Sequence, residues 1–554
     1  MDISLGPEAN IDLIRALEKR TGVGDADVIK LKRDLNSLLN ISTRVPPEIL
    51  GQIFIQSLVR EHRFEGLEKG SYNFLLVCHH WFEVASHTPE LWSFWGNTFQ
   101  DWKKRHHRSG TIPLDLVLSD YRFGSDPFDE SLRNAVRNRV TQDTIRQVHL
   151  ASNYLTPVIS SLTPDDRGGQ NENIESIALH CALGSAPLDV SNFFARSRLS
   201  RLRSLRLFGS IIISSLDRLI PRTTLLTTLS LDIEGSSSPA VTTSQLFSIL
   251  TSNTNLQELS LGGAILPNDA DTLTFKVQLH HLKILSLRGE FSPLFGLLCQ
   301  LTLQDMLNEL RLTVFNSTVE NISQNLAPYM RDYFRHNPRF QDRLGVCSSS
   351  YRSISILVGV VRTRTAVPVL ELPRVFLNIF TTPDILDRLF IDLITQIPPE
   401  HVVAFQTRRD VPREVFFAMP NIDTLNIIDA KVSEGFLQPN PDGPHPNTKL
   451  LPSLRSLSLN DLTLSDKEWG HLTTYLAHQT SDGQAISLEI EGNFPHLCLE
   501  VMEEVEGLVE EFNCYQEVED LVEESNYQDP VTICPLGRCK GEVRGSWRSG
   551  GMQR

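Results

Sequence analysis

Aliphatic residues return along this chain in one short pattern, aliphatic-x-x-aliphatic-x-aliphatic. It reads IRQVHL from Ile145, IESIAL from Ile174, LRSLRL from Leu202, LTTLSL from Leu226 and LQELSL from Leu256. It continues as LKILSL from Leu282, LNELRL from Leu307, IDTLNI from Ile422 and LRSLSL from Leu454. Successive starts over the first seven copies lie 29, 28, 24, 30, 26 and 25 residues apart. The last two aliphatic residues of each copy are two positions apart, the period of a strand with one buried face. The rest of each period is long enough for the crossover that a parallel neighbour requires. Some return segments read as helical: TTSQLFSILTSNTN at 242–255 places Leu246, Ile249 and Leu250 on one side. SGTIPLDLVLSD at 109–120 alternates like a strand and is expected to cap the N-terminal end of the sheet, since a first unit has no neighbour to cover it. Between Leu312 and Ile422 the register is lost, and YRSISILVG (351–359) and HVVAFQT (401–407) are the strands expected there.

The ends of the chain have other textures. Residues 10–41 carry apolar positions at helical spacing, interrupted by TGVG at 21–24, which predicts two short amphipathic helices. In VPPEILGQIF, Pro46 and Pro47 fit a helix start, where spare N–H groups make proline harmless. Ile49, Leu50, Ile53 and Phe54 then form a broad apolar stripe, which by pattern alone also fits a core helix of a small bundle. In SYNFLLVCHHWFEVASHTPELWSFW, the residues Phe74, Leu75, Val77, Cys78, Trp81, Phe82 and Ala85 predict a helix that is apolar around most of its circumference. Trp81 and Trp92 stand where large rings fill a core. Toward the other end, 500–525 is acidic with helical apolar spacing, and 526–554 lacks periodicity and is expected to be disordered.

Composition and charge exclude several classes. Of 554 residues, 40% are hydrophobic and 21% charged, as in a globular protein. A net charge of −15 argues against a nucleic-acid partner, and the basic run KKRHHR at 103–108 reads as a solvated linker. The start of the chain lacks a secretory pattern, and no run of about 18 apolar residues occurs, so no membrane partner is expected. Eight scattered cysteines fit reduced thiols in an intracellular protein, cytoplasmic or nuclear. Cys534 and Cys539 lack a second pair to complete a zinc site, so no metal is expected. The phosphate loop, dinucleotide fingerprint, zincin helix and nucleophile elbow are all missing, so neither an enzyme nor a cofactor is expected.

VPPEILGQIF, then LLVCHHWFEVA, then TPELWS resemble the F-box, a short three-helix module, in the form common in large fungal families. Val45 stands where leucine is usual there, and the loop between the first two helices is longer than in the minimal module. The repeat resembles leucine-rich repeats, although the asparagine or cysteine that closes each unit is largely missing. The resemblance implies an α/β chain: a three-helix F-box-like module followed by an irregular leucine-rich-repeat solenoid, a curved parallel sheet with outer helices. The expected boundaries are 1–42, N-terminal helices; 43–98, the module; 99–499, the solenoid; 500–525, the acidic helix; and 526–554, the tail. The implied function is the substrate-recruiting subunit of a cullin–RING ubiquitin ligase. Pro46, Pro47, Ile49, Leu50, Ile53, Phe54, Val77 and Cys78 are expected to dock the adaptor subunit. A protein target is expected on the concave face, whose alternating positions include Arg206, Phe208, Asp232, Glu258, Arg288, Arg311, Asn426 and Asn460. The other reading is a leucine-rich-repeat scaffold whose helical module is only structural.

Overall fold

The computed structural model describes most of residues 45–516. Outside the described residues lie 1–44 apart from Lys30, the connections at 62–74 (Leu75 begins the next segment), 96–107, 120–129, 214–224, 234–242, 264–275, 363–368 and 429–449, several shorter ones, and 517–554. The expected N-terminal helices, the basic run up to His107 and the C-terminal tail therefore fall outside them. The chain divides into two compact units at His281/Leu282.

The first unit opens with three helices: α1 (Pro47–Glu61), α2 (His79–Ser86) and α3 (Pro89–Trp92). The double proline starts α1 at Pro47, and the Leu50 N–H donates to the Pro46 carbonyl at 3.0 Å. Leu50, Phe54, Val84, Ala85, Leu91 and Trp92 form the core of this helical trio, with Val45, Ile55, Leu75 and Trp81 packed against it. The Trp92 indole N–H donates to the Ala85 carbonyl at 2.8 Å, which satisfies its one polar atom inside that core. Gly51 lets α1 approach the α2–α3 turn, because a Cβ there would meet Thr88 Oγ1 at 3.0 Å. The expected second helix starts later than its apolar run predicts. Cys78 is extended and precedes α2, so Val77 and Cys78 lie before the helix rather than on it. Trp81 is half-buried rather than enclosed, its ring 5.1 Å from that of Phe54.

The strands follow as β1 (Phe94–Trp95), β2 (Leu114–Ser119), helix α4 (Glu130–Thr141), β3 (Ile145–Ala151), α5 (Leu155–Leu162), β4 (Ser176–Cys181), α6 (Ser191–Arg196), β5 (Ser204–Gly209), β6 (Thr228–Ile233), α7 (Thr243–Ser252) and β7 (Glu258–Gly263). These seven strands of the large sheet pair in parallel in chain order, which is compatible with a solenoid-like α/β fold. The 109–120 strand is not the terminal one, because β1, carried directly by α3, pairs outside β2. Leu205 and Leu207 align with Leu229 and Leu231 and then with Leu259 and Leu261, and all six are buried. Leu246, Ile249 and Leu250 of α7 are buried as well, as their spacing predicts. Gly209 ends β5 with φ +84°, and a Cβ there would stand 1.8 Å from the Cys181 carbonyl oxygen. Only glycine tolerates both conditions.

The second unit contains β8 (Ile284–Glu290), α8 (Phe291–Gln300), β9 (Glu309–Phe315), α9 (Ala327–His336), β10 (Leu344–Ser349), β11 (Ile354–Arg362), β12 (Val369–Ile379), α10 (Pro383–Ile394), β13 (Val402–Thr407), α11 (Arg413–Ala418), β14 (Thr424–Ile428), β15 (Ser456–Leu462), α12 (Asp466–Thr480), β16 (Ser487–Gly492), α13 (Leu499–Leu508) and β17 (Glu511–Gln516). The spatial order is β8-β9-β12-β11-β10-β13-β14-β15-β16-β17. Between β9 and β13 the chain thus lays down three strands in reverse order, with β11 antiparallel to both neighbours. A purely parallel sheet was expected there. Strand alternation is the same in either direction, so the pattern carried no sign of the reversal. The acidic C-terminal segment is not one helix: α13 ends at Leu508 and Glu511–Gln516 forms β17. Buried Cys514 two residues after half-buried Phe512 is strand alternation, which the helical reading of 500–525 passed over.

Candidate interaction surfaces

Two surfaces carry side chains that the core does not use. The first is on the helical trio. Ile49 and Ile53, one turn apart on α1, are 53% and 51% exposed. Val77 and Phe82 are 52% and 42% exposed. Pro46 and Pro47 are exposed at the start of α1, and Cys78 is half-buried. Leu50 and Phe54 are each 2% exposed, inside the trio's own core, which corrects their expected docking role. Two faces of α1 divide the work, since residues 50 and 54 face inward where 49 and 53 face outward. The Arg108 guanidinium lies 4.5 Å from the Trp92 ring and 5.9 Å from that of Phe82, so one cation covers part of this face.

The second surface is the sheet face opposite the buried leucines. In the first unit, Ser204, Thr228 and Glu258 stand in one row, Arg206, Ser230 and Ser260 in the next, and Phe208, Asp232 and Gly262 in a third. Arg206, Phe208, Asp232 and Glu258 are therefore brought together as the pattern predicted. Arg206 does not point freely outward: its Nη2 donates to Glu258 Oε2 at 2.7 Å across the strand between them, covering Ser230. Phe208 meets His180 edge-on at 6.1 Å, and the Asp232 carboxylate lies over Gly262, where a Cβ would come within 2.3 Å of it.

A second ion pair in this unit was not anticipated. Arg146 donates to both carboxylate oxygens of Asp115, at 3.0 and 2.6 Å, where the β2–β3 register slips. Burial holds the Asp115 carboxyl above its ordinary value, and the hydrogen bonds and charge of Arg146 offset this only in part. The hydrogen bond to Asp115 raises the Arg146 pKa in turn.

In the second unit, Ser286, Arg311 and Phe376 share a row, as do Arg288, Thr313 and Asn378. Arg311 pairs with Glu309 on its own strand, and its guanidinium lies 5.1 Å from the Phe376 ring. The Arg288 guanidinium lies 5.6 Å from Phe315, whose ring is 5.2 Å from that of Phe380. Farther along the same sheet, Asn460 Nδ2 donates to Asn426 Oδ1 at 3.3 Å, and Glu489 stands beside Ser458. Sequence reasoning named Arg288, Arg311, Asn426 and Asn460 but missed the phenylalanines. VFLNIF held the signal, because Phe376, Asn378 and Phe380 alternate with buried Val375, Leu377 and Ile379.

Among the described residues, no group of three or more His, Cys, Asp or Glu side chains could hold a metal. Among them, too, no helix is long and apolar enough to cross a membrane. No family model matches this chain, and no curated protein matches it.

Proposed function

We propose that this chain is the substrate-recruiting subunit of a cullin–RING ubiquitin ligase, with an F-box-like helical trio holding the adaptor subunit and degenerate leucine-rich repeats presenting a target-binding sheet face. The observation that carries the reading is the split on α1: Leu50 and Phe54 close the trio's own core while Ile49 and Ile53 stay exposed. Burying an aliphatic side chain of this size contributes roughly 1.5–3 kcal/mol, so two held in water mark a surface that a partner covers. An apolar helix face is a common mode of docking into a partner's groove. The test is co-purification of the tagged chain with the adaptor and cullin. Wild type should recover both, and Ile49→Asp with Ile53→Asp should lose them while thermal unfolding stays unchanged. Failure of the wild-type chain to recover either subunit sinks the proposal.

One observation favours the structural reading of the trio. β1 follows α3 after a single residue, pairs with β2, and carries fully buried Trp95, so the helices are continuous with the first strand of the sheet. If the trio only caps the sheet, deleting 45–92 should unfold the first unit, and wild type should bring down neither ligase subunit.

A further inference from the structure

Arg108 closes the basic run KKRHHR, whose pattern is that of a solvated linker, yet its side chain is held against the helical trio. The guanidinium lies 4.5 Å from the ring of buried Trp92 and 5.9 Å from that of exposed Phe82. The turn that carries it is anchored from behind. Fully buried Ser109 accepts a hydrogen bond from Arg139 Nη2 at 2.7 Å, and the Arg139 guanidinium lies 5.9 Å from the ring of buried Trp95. The Ile112 N–H donates to the Ser109 carbonyl at 3.1 Å and closes the turn. Arg108 is therefore placed by groups packed on β1.

Arg139 and Arg311, which also lie beside rings, each have a further partner in Ser109 and Glu309. Among the described residues Arg108 has no acceptor, and none of its nitrogens is a buried orphan, so its N–H groups reach solvent. The exposed carboxylates of α2 and α3 do not meet it: Glu83 lies 3.4 Å from His79 instead, and Glu90 pairs with no cation among the described residues. Contact with two rings restricts the side chain, so it loses little freedom on meeting an acceptor. A surface that covers Phe82 also covers the guanidinium beside it. A charge taken out of water without a counter-charge opposes binding, so a covering surface has to bring an acceptor of its own.

We infer that Arg108 is a specificity-determining residue of the trio's docking face, and that the partner surface covering Phe82 bears an Asp or Glu that pairs with it. The inference rests on the adaptor docking proposed above and adds the carboxylate that the adaptor supplies beside its apolar groove. The planar fork of the guanidinium accommodates both oxygens of one carboxylate. A polyanion such as nucleic acid is disfavoured, because exposed Glu48, Glu83 and Glu90 lie on the same three helices and Val77 and Phe82 offer it only apolar surface. A surface without an acid at this place loses affinity, so Arg108 selects among partners that could all cover the exposed isoleucines.

The experiment measures the affinity of the purified full chain for the adaptor by biolayer interferometry, at low and high salt, for wild type, Arg108→Met and Arg108→Glu. Methionine keeps an apolar cover over Trp92 while removing the charge, so thermal unfolding of Arg108→Met should match wild type. Affinity should fall several-fold in Arg108→Met and about tenfold in Arg108→Glu. Added salt should weaken wild type more than Arg108→Met. Changing the adaptor's Asp and Glu residues singly to Asn and Gln should find one whose loss weakens wild type several-fold and leaves Arg108→Met unaffected. Absence of such a carboxylate overturns the assignment. So does an Arg108→Met chain that loses thermal stability together with affinity, which would leave Arg108 as a cover for Trp92. Equal affinity of all three chains counts against this assignment alone, whereas no affinity of wild type for the adaptor overturns it together with the ligase reading.

Discussion

Leu50 and Ile49 are neighbours on one helix, and they separate folding from docking. Leu50 is enclosed by Phe54, Leu91 and Trp92 within the trio, so a charge introduced there has no water and no partner. Leu50→Asp should therefore unfold the trio, a loss of several kcal/mol that circular dichroism and limited proteolysis would detect. A folded Leu50→Asp trio that only loses its partner would return Leu50 to the docking surface. Asp115 makes a different prediction at the same scale. Its folded pKa is raised because desolvation outweighs the attraction of Arg146. The folded state thus holds that proton more firmly than the unfolded chain does. The corresponding stability is present below the ordinary value of 3.8 and is lost as pH rises through the raised value. Asp115→Asn should flatten the dependence of the denaturation midpoint on pH across that window. An unchanged slope would place the raised pKa elsewhere.

Among the elements, the strands that follow the repeat were legible because each copy carries two buried aliphatic residues at strand spacing. Ser204–Gly209 and Thr228–Ile233 begin at the third position of LRSLRL and LTTLSL, and their pattern also assigns the open-face residues between the leucines. The reversal of β11 was not legible. Val358, Ile356 and Ile354 are buried in the same alternation as a parallel strand would show, and only the pairing with β10 and β12 reveals the direction. The pairing of Arg206 with Glu258 was hidden for a related reason, since residues 52 positions apart meet only through strand order. The ends of strands respond to backbone conformation instead. Gly209→Ala should cost about 1–3 kcal/mol for the left-handed backbone, and more for the close carbonyl, measured by urea denaturation. A neutral result would mean that β5 can end in another conformation.

At the scale of the whole chain, each unit is a row of strands in which a residue's main neighbours lie one strand away. Such arrays transmit perturbations chiefly between adjacent repeats rather than through one central core. Leu457 on β15 aligns with Leu425 on one side and Leu488 on the other, and all three are fully buried. Leu457→Ala removes apolar contacts that these neighbours cannot replace, a loss of about 2–5 kcal/mol. Hydrogen exchange followed by mass spectrometry would resolve where that loss is felt. Protection should fall in β14, β15 and β16, while β3 to β6 of the first unit keep their wild-type rates, because their leucines are buried against one another. The reciprocal variant, Leu205→Ala, should loosen β4, β5 and β6 and leave β14 to β16 unchanged. A uniform loss of protection in both variants would mean that the chain opens as one cooperative body, and the neighbour-by-neighbour account of its stability would fail.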